Sequence, residues 1–570
     1  MSIAQKRWKL KSFNHSAAKK LCDELRIHPL ICNMLNIRGI KTFDQAKAFF
    51  RPQLSELHDP FQMKGMDIAV ERILTSIKEN EKILIYGDYD VDGTTSVSIM
   101  YDFLSFVYPS KKIEYYIPDR YKEGYGLSSA GIEYAHNNNF SLLITLDCGI
   151  KSVELVKKAG DLKIDTIICD HHLPGNVLPP AVAILNPKQP SCNYPYKELC
   201  GCGVGLKLIQ ALCRELKLNN DYFQKYLDLV ATAIAADIVP ITGENRTIAY
   251  HGLKKANTDP NIGIRALIEQ STLKSQVSIN GLSFIIGPRI NAAGRMGDAK
   301  RAVALFIEKD LNKAKEIALT LQSENTNRKE ADSSITEEAL AQIQLEENAH
   351  LKKTIVVFND SWHKGVLGIV ASRLLERFYK PTIVLTKSGD CYTGSARSIA
   401  GFNIYEGLDK CSHLLKAFGG HYFAAGMTIS PDHISTFKTE FENIANEILT
   451  EEDMIPEIEI DTEIQLKDLS LSFYNILQQM EPFGPENPKP VFCVKNTQNI
   501  GCKIVKEDHL RFDIVQDGVR MNGIGFNLAD KYETLGNPEK LDIVFTIEEN
   551  YFNGKTSLQM KVIDFNIAEK

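Results

Sequence analysis

The sequence predicts an α/β fold in which long helices join two α/β domains, with a small β-barrel at the C-terminal end. Short apolar runs alternate with helix-like stretches twice along the chain, first from about Lys82 and again from about Lys353, as in parallel sheets covered by helices. After about Glu451 the pattern changes to short alternating segments such as "RFDIVQD" and "SLQMKVIDF", which are typical of a small barrel.

The overall composition is that of an ordinary globular protein, with 570 residues, of which 44% are hydrophobic and 24% charged. The net charge of −6 gives no global basic field for nucleic acid, although an acidic metal site would offset a local basic patch. No apolar run has the length of a membrane span or the position of a signal peptide, and the twelve cysteines are scattered. We therefore expect a cytoplasmic protein with reduced thiols and no membrane contact.

Changes of pattern along the chain predict five segments. The stretch from Asp310 to His350 has no proline or glycine, which predicts long helices that link two domains. The predicted segments are a helical region at 1–80, a parallel-sheet domain at 81–240, a helical and connecting region at 241–350, a second α/β domain at 351–450 and a barrel at 455–570.

Three aspartates, Asp88, Asp90 and Asp92, stand at alternate positions after the apolar run "KILIY". They repel one another unless a cation neutralises them, and carboxylates are ligands that Mg²⁺ and Mn²⁺ accept. Alternation along an extended turn would direct all three to one side. A plain turn uses one or two aspartates. The stretch "DYDVDG" also fits the opening of an EF-hand, but Ile99 stands where the bidentate glutamate belongs, and a strand precedes it instead of a helix.

Two further predicted strands end in residues that bind metals. "LLITLDCG" ends on Asp147, and "DTIICDHH" ends on Asp170, His171 and His172. Asp237 follows the apolar, helix-like run of "ATAIAADIVP". Taken singly, the aspartates are ordinary helix caps or helix ends. Together they are enough to hold two divalent cations that share a carboxylate, an arrangement that serves phosphoryl displacement by water.

The motifs "GDYDVDG", "DCG", "DHH" and "AADIVP", in this order, resemble those of the DHH phosphoesterase superfamily. Further segments resemble the RecJ family of single-strand-specific 5′→3′ DNA exonucleases: "LNIRGI", "IPDRYKEGYGL", "GPRINAAGRMG", "GSARS", "FGGHYFAAG" and "EPFGPENPKPVF". They run from about Leu35 into the last predicted domain. The resemblance implies a catalytic DHH domain, a connecting helix, a DHH-associated domain and an OB-fold.

The resemblance also implies roles for the acidic motifs. Its metal ligands correspond to Asp90, Asp92, Asp147, His171 and Asp237, with Asp147 as the bridge. Asp88 matches the first acidic position, where it binds a metal or supports a ligand. Asp170 orients a histidine, and His172 faces the scissile phosphate, where it stabilises charge or assists proton transfer. Related pyrophosphatases have a histidine where Tyr86 stands, which suggests that one cation is held more loosely here or is completed by Asp88.

Other segments supply positions that the resemblance assigns to DNA. Paired glycines let a backbone approach a phosphate closely, although a simple glycine turn would also explain them. Arginine binds phosphate through two hydrogen bonds. The implied DNA-binding residues are Arg120, Arg295, Ser395, Arg397, Ser398, Gly419, Gly420 and His421. Arg289 is an alternative to Arg295, and Tyr121 and Tyr125 either stack on bases or pack inside.

The implied function is hydrolysis of single-stranded DNA from its 5′ end, in recombination and repair, with two divalent ions, Mn²⁺ or Mg²⁺. An arginine and serine pocket would hold the 5′-phosphate, and the barrel would add stacking along the strand. The family further suggests a single-strand-binding protein and a RecQ-type helicase as partners, and we expect a monomer. Two alternatives stay open: a phosphodiesterase of the same superfamily for nanoRNA or cyclic dinucleotides, and a non-catalytic scaffold that binds single strands.

Overall fold

The computed structural model of the chain describes residues 6–110, 112–219, 221–273, 276–552 and 554–568. The α-helices are α1 (His15–Leu25), α2 (Pro29–Ile37), α3 (Phe43–Phe50), α4 (Met66–Lys78), α5 (Val91–Val107), α6 (Ser129–Asn137), α7 (Val153–Asp161), α8 (Gly201–Glu215), α9 (Leu227–Ala236), α10 (Gly243–Thr258), α11 (Ile262–Glu269), α12 (Ile279–Gly281), α13 (Gly287–Met296), α14 (Lys300–Ile307), α15 (Leu311–Leu345), α16 (Leu367–Phe378), α17 (Ile404–Lys410), α18 (Ile434–Ile448), α19 (Leu471–Gln478) and α20 (Ala529–Thr534). A π-helical turn, Leu282–Ile286, lies between α12 and α13.

The β-strands are β1 (Arg7–Leu10), β2 (Ile83–Gly87), β3 (Ile113–Tyr116), β4 (Leu142–Leu146), β5 (Asp165–Cys169), β6 (Ala183–Leu185), β7 (Ile355–Asn359), β8 (Thr382–Ser388), β9 (Cys391–Arg397), β10 (Leu415–Gly420), β11 (Ala424–Ile429), β12 (Glu457–Ile460), β13 (Thr462–Glu463), β14 (Phe492–Asn499), β15 (Lys503–Val505), β16 (His509–Gln516), β17 (Val519–Gly525), β18 (Lys540–Phe552) and β19 (Lys555–Ile567). Short 3₁₀ turns lie at Leu54–Glu56, Pro60–Gln62, Tyr222–Tyr226, Lys364–Val366, Ser412–Leu414, Pro431–His433, Glu452–Met454 and Leu466–Asp468.

The chain divides into two compact units. The parallel-sheet unit comprises Thr42–Thr326 and Gln478–Lys489, and the barrel unit comprises Met1–Lys41, Asn327–Leu477 and Pro490–Lys570. The chain passes from the first unit to the second within α15, a continuous helix of 35 residues. The long helical connection between two α/β domains is thus present as one helix. None of the helices in the described residues has the length and apolar character that a membrane crossing needs.

A parallel sheet with the strand order β3-β2-β4-β5-β6 forms the centre of the parallel-sheet unit. Its strands are apolar throughout because helices cover both faces: α4, α5, α8 and α9 on one face, α6 and α7 on the other. The chain leaves β2 for β3 on one side and returns to β4 on the other side. The edge between β2 and β4 is therefore a topological switch point, where sheets of this kind bind ligands.

The register of this sheet decides where its polar residues fall. Gly87 at the end of β2 pairs with Leu146 of β4, and Leu146 pairs with Cys169 of β5. The residues that follow these three strand ends therefore meet at one edge, and they are Asp88, Asp147 and Asp170.

The barrel unit contains a second α/β sheet and a closed barrel. The sheet has the order β10-β11-β9-β8-β7, in which β7 and β8 are parallel and the other neighbours antiparallel. α15 and α16 pack on one face, and α17 and α18 on the other. In the barrel, β14, β18, β19, β17 and β16 are neighbours in that order, and β16 pairs back to β14. Both α/β domains and the C-terminal barrel that the sequence predicts are therefore confirmed.

The N-terminal strand β1 was not predicted. It pairs in parallel with β12, with Arg7 opposite Glu457, which is 450 residues away. The pattern of the first 80 residues predicts helices only, because a strand of four residues carries little periodicity and its partner is distant.

A buried ion pair holds α8 in place. Nζ of Lys207, on α8, lies 3.1 Å from Oε1 of Glu244, on α10, and both side chains are shielded from solvent. Glu244 also accepts hydrogen bonds from the His58 backbone N–H at 2.9 Å and from the Tyr194 hydroxyl at 2.6 Å. Lys207 donates to the His58 carbonyl at 2.7 Å. The pair therefore ties α8 and α10 to the loop around His58.

Replacing Glu244 with alanine is expected to destabilise the protein by about 3–5 kcal/mol, because Lys207 would stay buried without its counter-charge. The double variant Lys207→Met/Glu244→Leu removes both charges and is expected to lose much less. Thermal unfolding followed by circular dichroism compares the two variants with the wild type. Equal losses of stability in both variants would contradict this account of the pair.

Candidate metal and phosphate sites

The start of a helix arranges the three aspartates that follow β2. Asp88 continues from the strand, Asp90 is the N-cap of α5, and Asp92 lies in the first helical turn. The Asp90 carboxylate accepts a hydrogen bond from the Gly93 N–H at 3.0 Å, as N-cap residues do. The predicted alternation along an extended turn is therefore wrong. The three carboxylates are still neighbours, since Asp90 contributes to raising the pKa of both Asp88 and Asp92.

A second helix holds Asp92. Its carboxylate accepts hydrogen bonds from the N–H groups of Gly201, at 2.6 Å, and Cys202, at 2.7 Å, the first two residues of α8. Burial, with Asp90 nearby, nevertheless raises the pKa of Asp92 to about 7. The free N–H groups at the start of α8 thus hold the Asp92 carboxylate in place, although they do not supply enough positive charge to keep its pKa low.

Asp147 lies tightly against the same helix. It follows β4 in the left-handed backbone region, with φ of 59°, and its N–H donates to the Cys169 carbonyl at 2.9 Å. A Cβ at Gly201 would lie 2.6 Å from the Asp147 Cβ and 2.9 Å from its Oδ1. Only glycine leaves room for Asp147 at this point. Burial and the neighbouring Asp92 hold the pKa of Asp147 well above its usual range.

Three carboxylates surround one imidazole nitrogen. Nε2 of His171 lies 3.8 Å from Oδ2 of Asp92, 3.2 Å from Oδ1 of Asp147 and 3.6 Å from Oδ2 of Asp237, the residue that ends α9. Burial lowers the pKa of His171 to about 3, so the ring is neutral at pH 7. This nitrogen is buried and has no hydrogen-bond partner among the described residues. With the ring proton on Nδ1, the lone pair of Nε2 is available to a cation.

Two overlapping groups of side chains are close enough to hold metal ions. Within each group the ligand atoms lie within 4.8 Å of one another, and the groups are Asp92–His171–Asp237 and Asp147–His171–His172. Burial and like charges raise the pKa of Asp237 to about 9 and that of Asp88 to about 8. Oδ2 of Asp88 is also buried without a hydrogen-bond partner in the described residues. This excess of carboxylates, with a neutral imidazole, fits divalent cations such as Mn²⁺ and Mg²⁺.

Asp170 fixes the second histidine. Its carboxylate accepts hydrogen bonds from the backbone N–H groups of Ile150, His171 and His172, at 2.9, 2.7 and 3.1 Å. Nδ1 of His172 lies 2.7 Å from Oδ1 of Asp170, and a carboxylate only accepts, so Nδ1 carries the proton. Burial alone would raise the pKa of Asp170, but these bonds lower it to about 2. Nε2 of His172 points to the Tyr125 hydroxyl, 3.2 Å away.

Tyr86, on β2, is buried. Its ring stacks on Tyr116, with centroids 5.3 Å apart, and its hydroxyl donates to the Gly126 carbonyl at 2.9 Å. The Gly126 N–H lies 3.5 Å from Oδ1 of Asp88. Tyr86 and Asp88 therefore contact the same loop, from its two sides.

Two of the arginines predicted to bind DNA lie beside Tyr89, the residue between Asp88 and Asp90 in the sequence. The Arg120 guanidinium is 4.8 Å from the centre of the Tyr89 ring. Arg120 and Arg295 both act to lower the pKa of Tyr89, against the larger effect of burial, which raises it to about 12. The Tyr121 hydroxyl donates to the Arg295 carbonyl at 2.5 Å. The alternative to Arg295, Arg289, is buried in α13 and donates to the Ile285 carbonyl.

Five of the six remaining DNA-binding candidates meet at one end of the β10–β11–β9 strands. Gly419 pairs with Gly426, which pairs with Ser395 on β9. Ala424 pairs with Arg397 and accepts a hydrogen bond from the His421 N–H at 2.8 Å. The set that the register brings together is Ser395, Arg397, Gly419, Gly420 and His421.

Ser398 faces the other way from Ser395 and Arg397. Its hydroxyl is buried and donates to the Phe402 carbonyl at 2.7 Å, while its N–H donates to the Phe423 carbonyl at 3.0 Å. It therefore braces the loop that follows β9.

Sequence reasoning did not find the amides of Gly201 and Cys202 that hold Asp92. It named Tyr125 as a residue that stacks on bases or packs inside, but not the contact of its hydroxyl with His172. The glycine-rich stretch "GCGVG" at the start of a predicted helix is the signal that could have shown the first. The tyrosine gives no comparable signal, because its contact depends on the path of the loop.

Three family profiles match the chain. They are the DHH family, N-terminal domain, at residues 82–234, the DHHA1 domain at residues 351–447, and the RecJ OB domain at residues 460–564. Their order matches the two α/β domains and the barrel of the structure.

Curated proteins of known name are similar over the whole length. The chain is 38% identical to the single-stranded-DNA-specific exonuclease RecJ of Bacillus subtilis, over 100% of this chain and 72% of that protein. It is 31% identical to the protein of the same name from Escherichia coli, over 94% of this chain and 95% of that protein. Among solved structures, RecJ in complex with Mn²⁺ from Thermus thermophilus matches 99% of this chain and 80% of its own, with a TM-score of 0.85 and 26% identity.

Gly201→Ala is expected to weaken Mn²⁺ binding by about 10- to 100-fold, because the added methyl group would push Asp147 from its place. Titration of Mn²⁺, with the free ion measured by electron paramagnetic resonance, gives the affinity. Gly160→Ala is the matched control, since a Cβ there meets no atom within 4 Å. Unchanged affinity in the folded Gly201→Ala variant would contradict the predicted clash.

Cation binding is expected to release protons. The pKa values of about 9 for Asp237 and about 8 for Asp88 keep both carboxyls largely protonated at pH 7, whereas a cation binds the charged form. The affinity for Mn²⁺ should therefore rise with pH up to about pH 9, the pKa of Asp237. Isothermal titration calorimetry in two buffers of different ionisation enthalpy counts the protons released. A pH-independent affinity with no released protons would show that the carboxyls are already charged.

Proposed function

Because the chain belongs to the RecJ family of single-stranded-DNA-specific exonucleases, we propose that it hydrolyses phosphodiester bonds of single-stranded DNA from the 5′ end. The observation that carries the proposal is the convergence of Asp92, Asp147 and Asp237 on Nε2 of His171. Carboxylates and a neutral imidazole at the carboxyl edge of a parallel sheet suit metal-assisted phosphoryl transfer.

Two divalent ions, Mn²⁺ or Mg²⁺, are the cofactors of this proposal. Bound at the carboxylate cluster, they would polarise the phosphate and lower the pKa of a water molecule, so that it could attack the phosphate as hydroxide. The residues that would hold them are Asp88, Asp90, Asp92, Asp147, His171 and Asp237. Asp147 is the carboxylate that the resemblance assigns to both ions; its Oδ1 lies 3.2 Å from Nε2 of His171, the residue common to both groups.

His172 is the proposed proton carrier. Asp170 keeps the proton of His172 on Nδ1, so the ring is held in one orientation, in which Nε2 lies 3.2 Å from the Tyr125 hydroxyl. Burial lowers the pKa of His172, but the bond to Asp170 and its charge outweigh this and raise it. A protonated Nε2 would donate to a phosphate oxygen and neutralise charge that develops there, or pass its proton to the leaving oxygen.

The 5′-phosphate is assigned to Ser395 and Arg397, with the Gly419 and Gly420 backbone and His421 beside them. The pKa of Arg397 is lowered by burial alone, so the guanidinium has no carboxylate of the described residues to balance it. A phosphate would supply that charge and accept two hydrogen bonds. Arg120 and Arg295, near the carboxylate cluster, would contact the DNA backbone, and Ser398 would keep the loop in shape.

We further propose that the protein works as a monomer in the cytoplasm, in DNA recombination and repair. A RecQ-type helicase would supply single strands to such an enzyme, and a single-strand-binding protein would present them. The RecJ OB domain at residues 460–564 is the region that would contact the strand through stacking and charge.

The wild type with Mn²⁺ is expected to degrade 5′-phosphorylated single-stranded DNA and to leave duplex DNA and dinucleotides intact. Asp147→Ala should lower the rate on the order of 10³-fold, because the cation cluster loses its shared carboxylate. Asp161→Ala, which removes an exposed carboxylate at the end of α7, is the matched control. Release of labelled nucleotides gives the rates.

Undiminished degradation by Asp147→Ala would refute the proposed metal site. Cleavage of dinucleotides in preference to single strands would instead favour a small-substrate phosphodiesterase and refute the proposed substrate.

A further inference from the structure

The Arg397 guanidinium lies against the first turn of α16. It donates to the Ser395 hydroxyl at 2.9 Å and to the Ala396 carbonyl at 2.8 Å. A Cβ at Gly368, the second residue of α16, would lie 2.8 Å from Nη2 of Arg397 and 3.1 Å from Oγ of Ser395. Ordinary contacts of a Cβ lie at 3.4–4 Å. The two polar groups thus occupy the space that any side chain at position 368 would take.

The backbone does not explain this glycine. Gly368 is not in the left-handed region, so another residue could adopt its conformation. Its carbonyl accepts a hydrogen bond from the hydroxyl of Ser372, one turn further along the helix, at 3.0 Å. Alanine is the better helix former at such a position. The close approach of Arg397 and Ser395 is therefore what a side chain at this position would disturb, by displacing the guanidinium.

The start of α16 contributes partial positive charge of its own. Val366, the N-cap of α16, provides no side-chain hydrogen bond to the first turn. The first amides of a helix lack partners within the helix and carry partial positive charge. Placing the guanidinium on this turn therefore gathers positive charge at a single point, which suits a phosphate with two negative charges.

We propose that Gly368 is a positioning residue for the phosphate-binding pair, because its missing side chain lets Arg397 and Ser395 lie on the first turn of α16. The inference rests on the proposed function, in which this pair takes the 5′-phosphate of single-stranded DNA. A methyl group at position 368 would move the guanidinium without altering any group that bonds to DNA.

The test measures binding apart from hydrolysis. Full-length wild type, Gly368→Ala, Arg397→Ala and the double variant bind an oligo-dT carrying a 3′ fluorophore, with either a 5′-phosphate or a 5′-hydroxyl, in the presence of EDTA. We expect the wild type to prefer the 5′-phosphate and Gly368→Ala to lose that preference by about tenfold. Adding Gly368→Ala to Arg397→Ala should change nothing further, because the residue acts through the arginine.

Gly160→Ala is the matched control, since that helical glycine has nothing within 4 Å of its added Cβ. Gly368→Ala should unfold at the wild-type temperature or above. With Mn²⁺ present, it should raise KM for the 5′-phosphorylated strand and leave kcat unchanged.

Three results would overturn the role of Gly368: a full 5′-phosphate preference in Gly368→Ala, an equal loss of binding to both oligonucleotides, or an undiminished effect in the Arg397→Ala background. Failure of the proposed function gives a different result. The wild type would then hydrolyse no DNA with Mn²⁺, while the 5′-phosphate preference and its loss in Gly368→Ala would still support the positioning role.

Discussion

The parallel-sheet unit is built around carboxylates that repel one another where little water screens them. Parallel register brings Asp88 and Asp147 to one edge, and helix ends add Asp92 and Asp237. Burial, together with their mutual repulsion, raises the pKa of each. Such a cluster does not stabilise a fold, so its presence indicates that these carboxyl groups serve a function. Binding of a divalent cation is such a function, because the carboxylates that repel one another would all coordinate the cation.

The rest of the unit supplies the rigidity that this repulsion demands. Two amides of α8 hold Asp92, and the bare Cα of Gly201 allows Asp147 to approach the same helix. The position of α8 is fixed in turn by Lys207, which is buried against Glu244. A chain of contacts thus runs from a buried ion pair to the proposed metal ligands. Ligands held in this way lose little entropy when a cation binds.

The sequence predicted the parts of the site that depend on strand ends. Apolar runs followed by acidic residues locate Asp147 and Asp170 because strand register is simple, and the ordered motifs supply the family. It predicted less well where helices meet loops. Asp92 lies in the first turn of α5, so its side chain does not follow the alternation of an extended segment. The need for glycine at position 201 follows only from the packing of α8 against Asp147. Likewise, the β1–β12 pairing joins residues about 450 positions apart, which no local periodicity records.

The net charge of −6 illustrates the same limit for electrostatics. By itself this net charge suggests no attraction for nucleic acid. Two bound divalent ions would offset four of the six negative charges, and they would do so at the proposed site of hydrolysis. Arg397, by contrast, is cationic with no carboxylate of the described residues against it. The net charge of the whole chain hides both features, because the negative charges of the acidic cluster and the positive charge of Arg397 are added together. In the proposed function, a phosphorylated strand would provide the anion, and a phosphodiester of such a strand is the group that bound cations would polarise. Local charge, placed by helix ends and strand register, is therefore the better guide to the substrate.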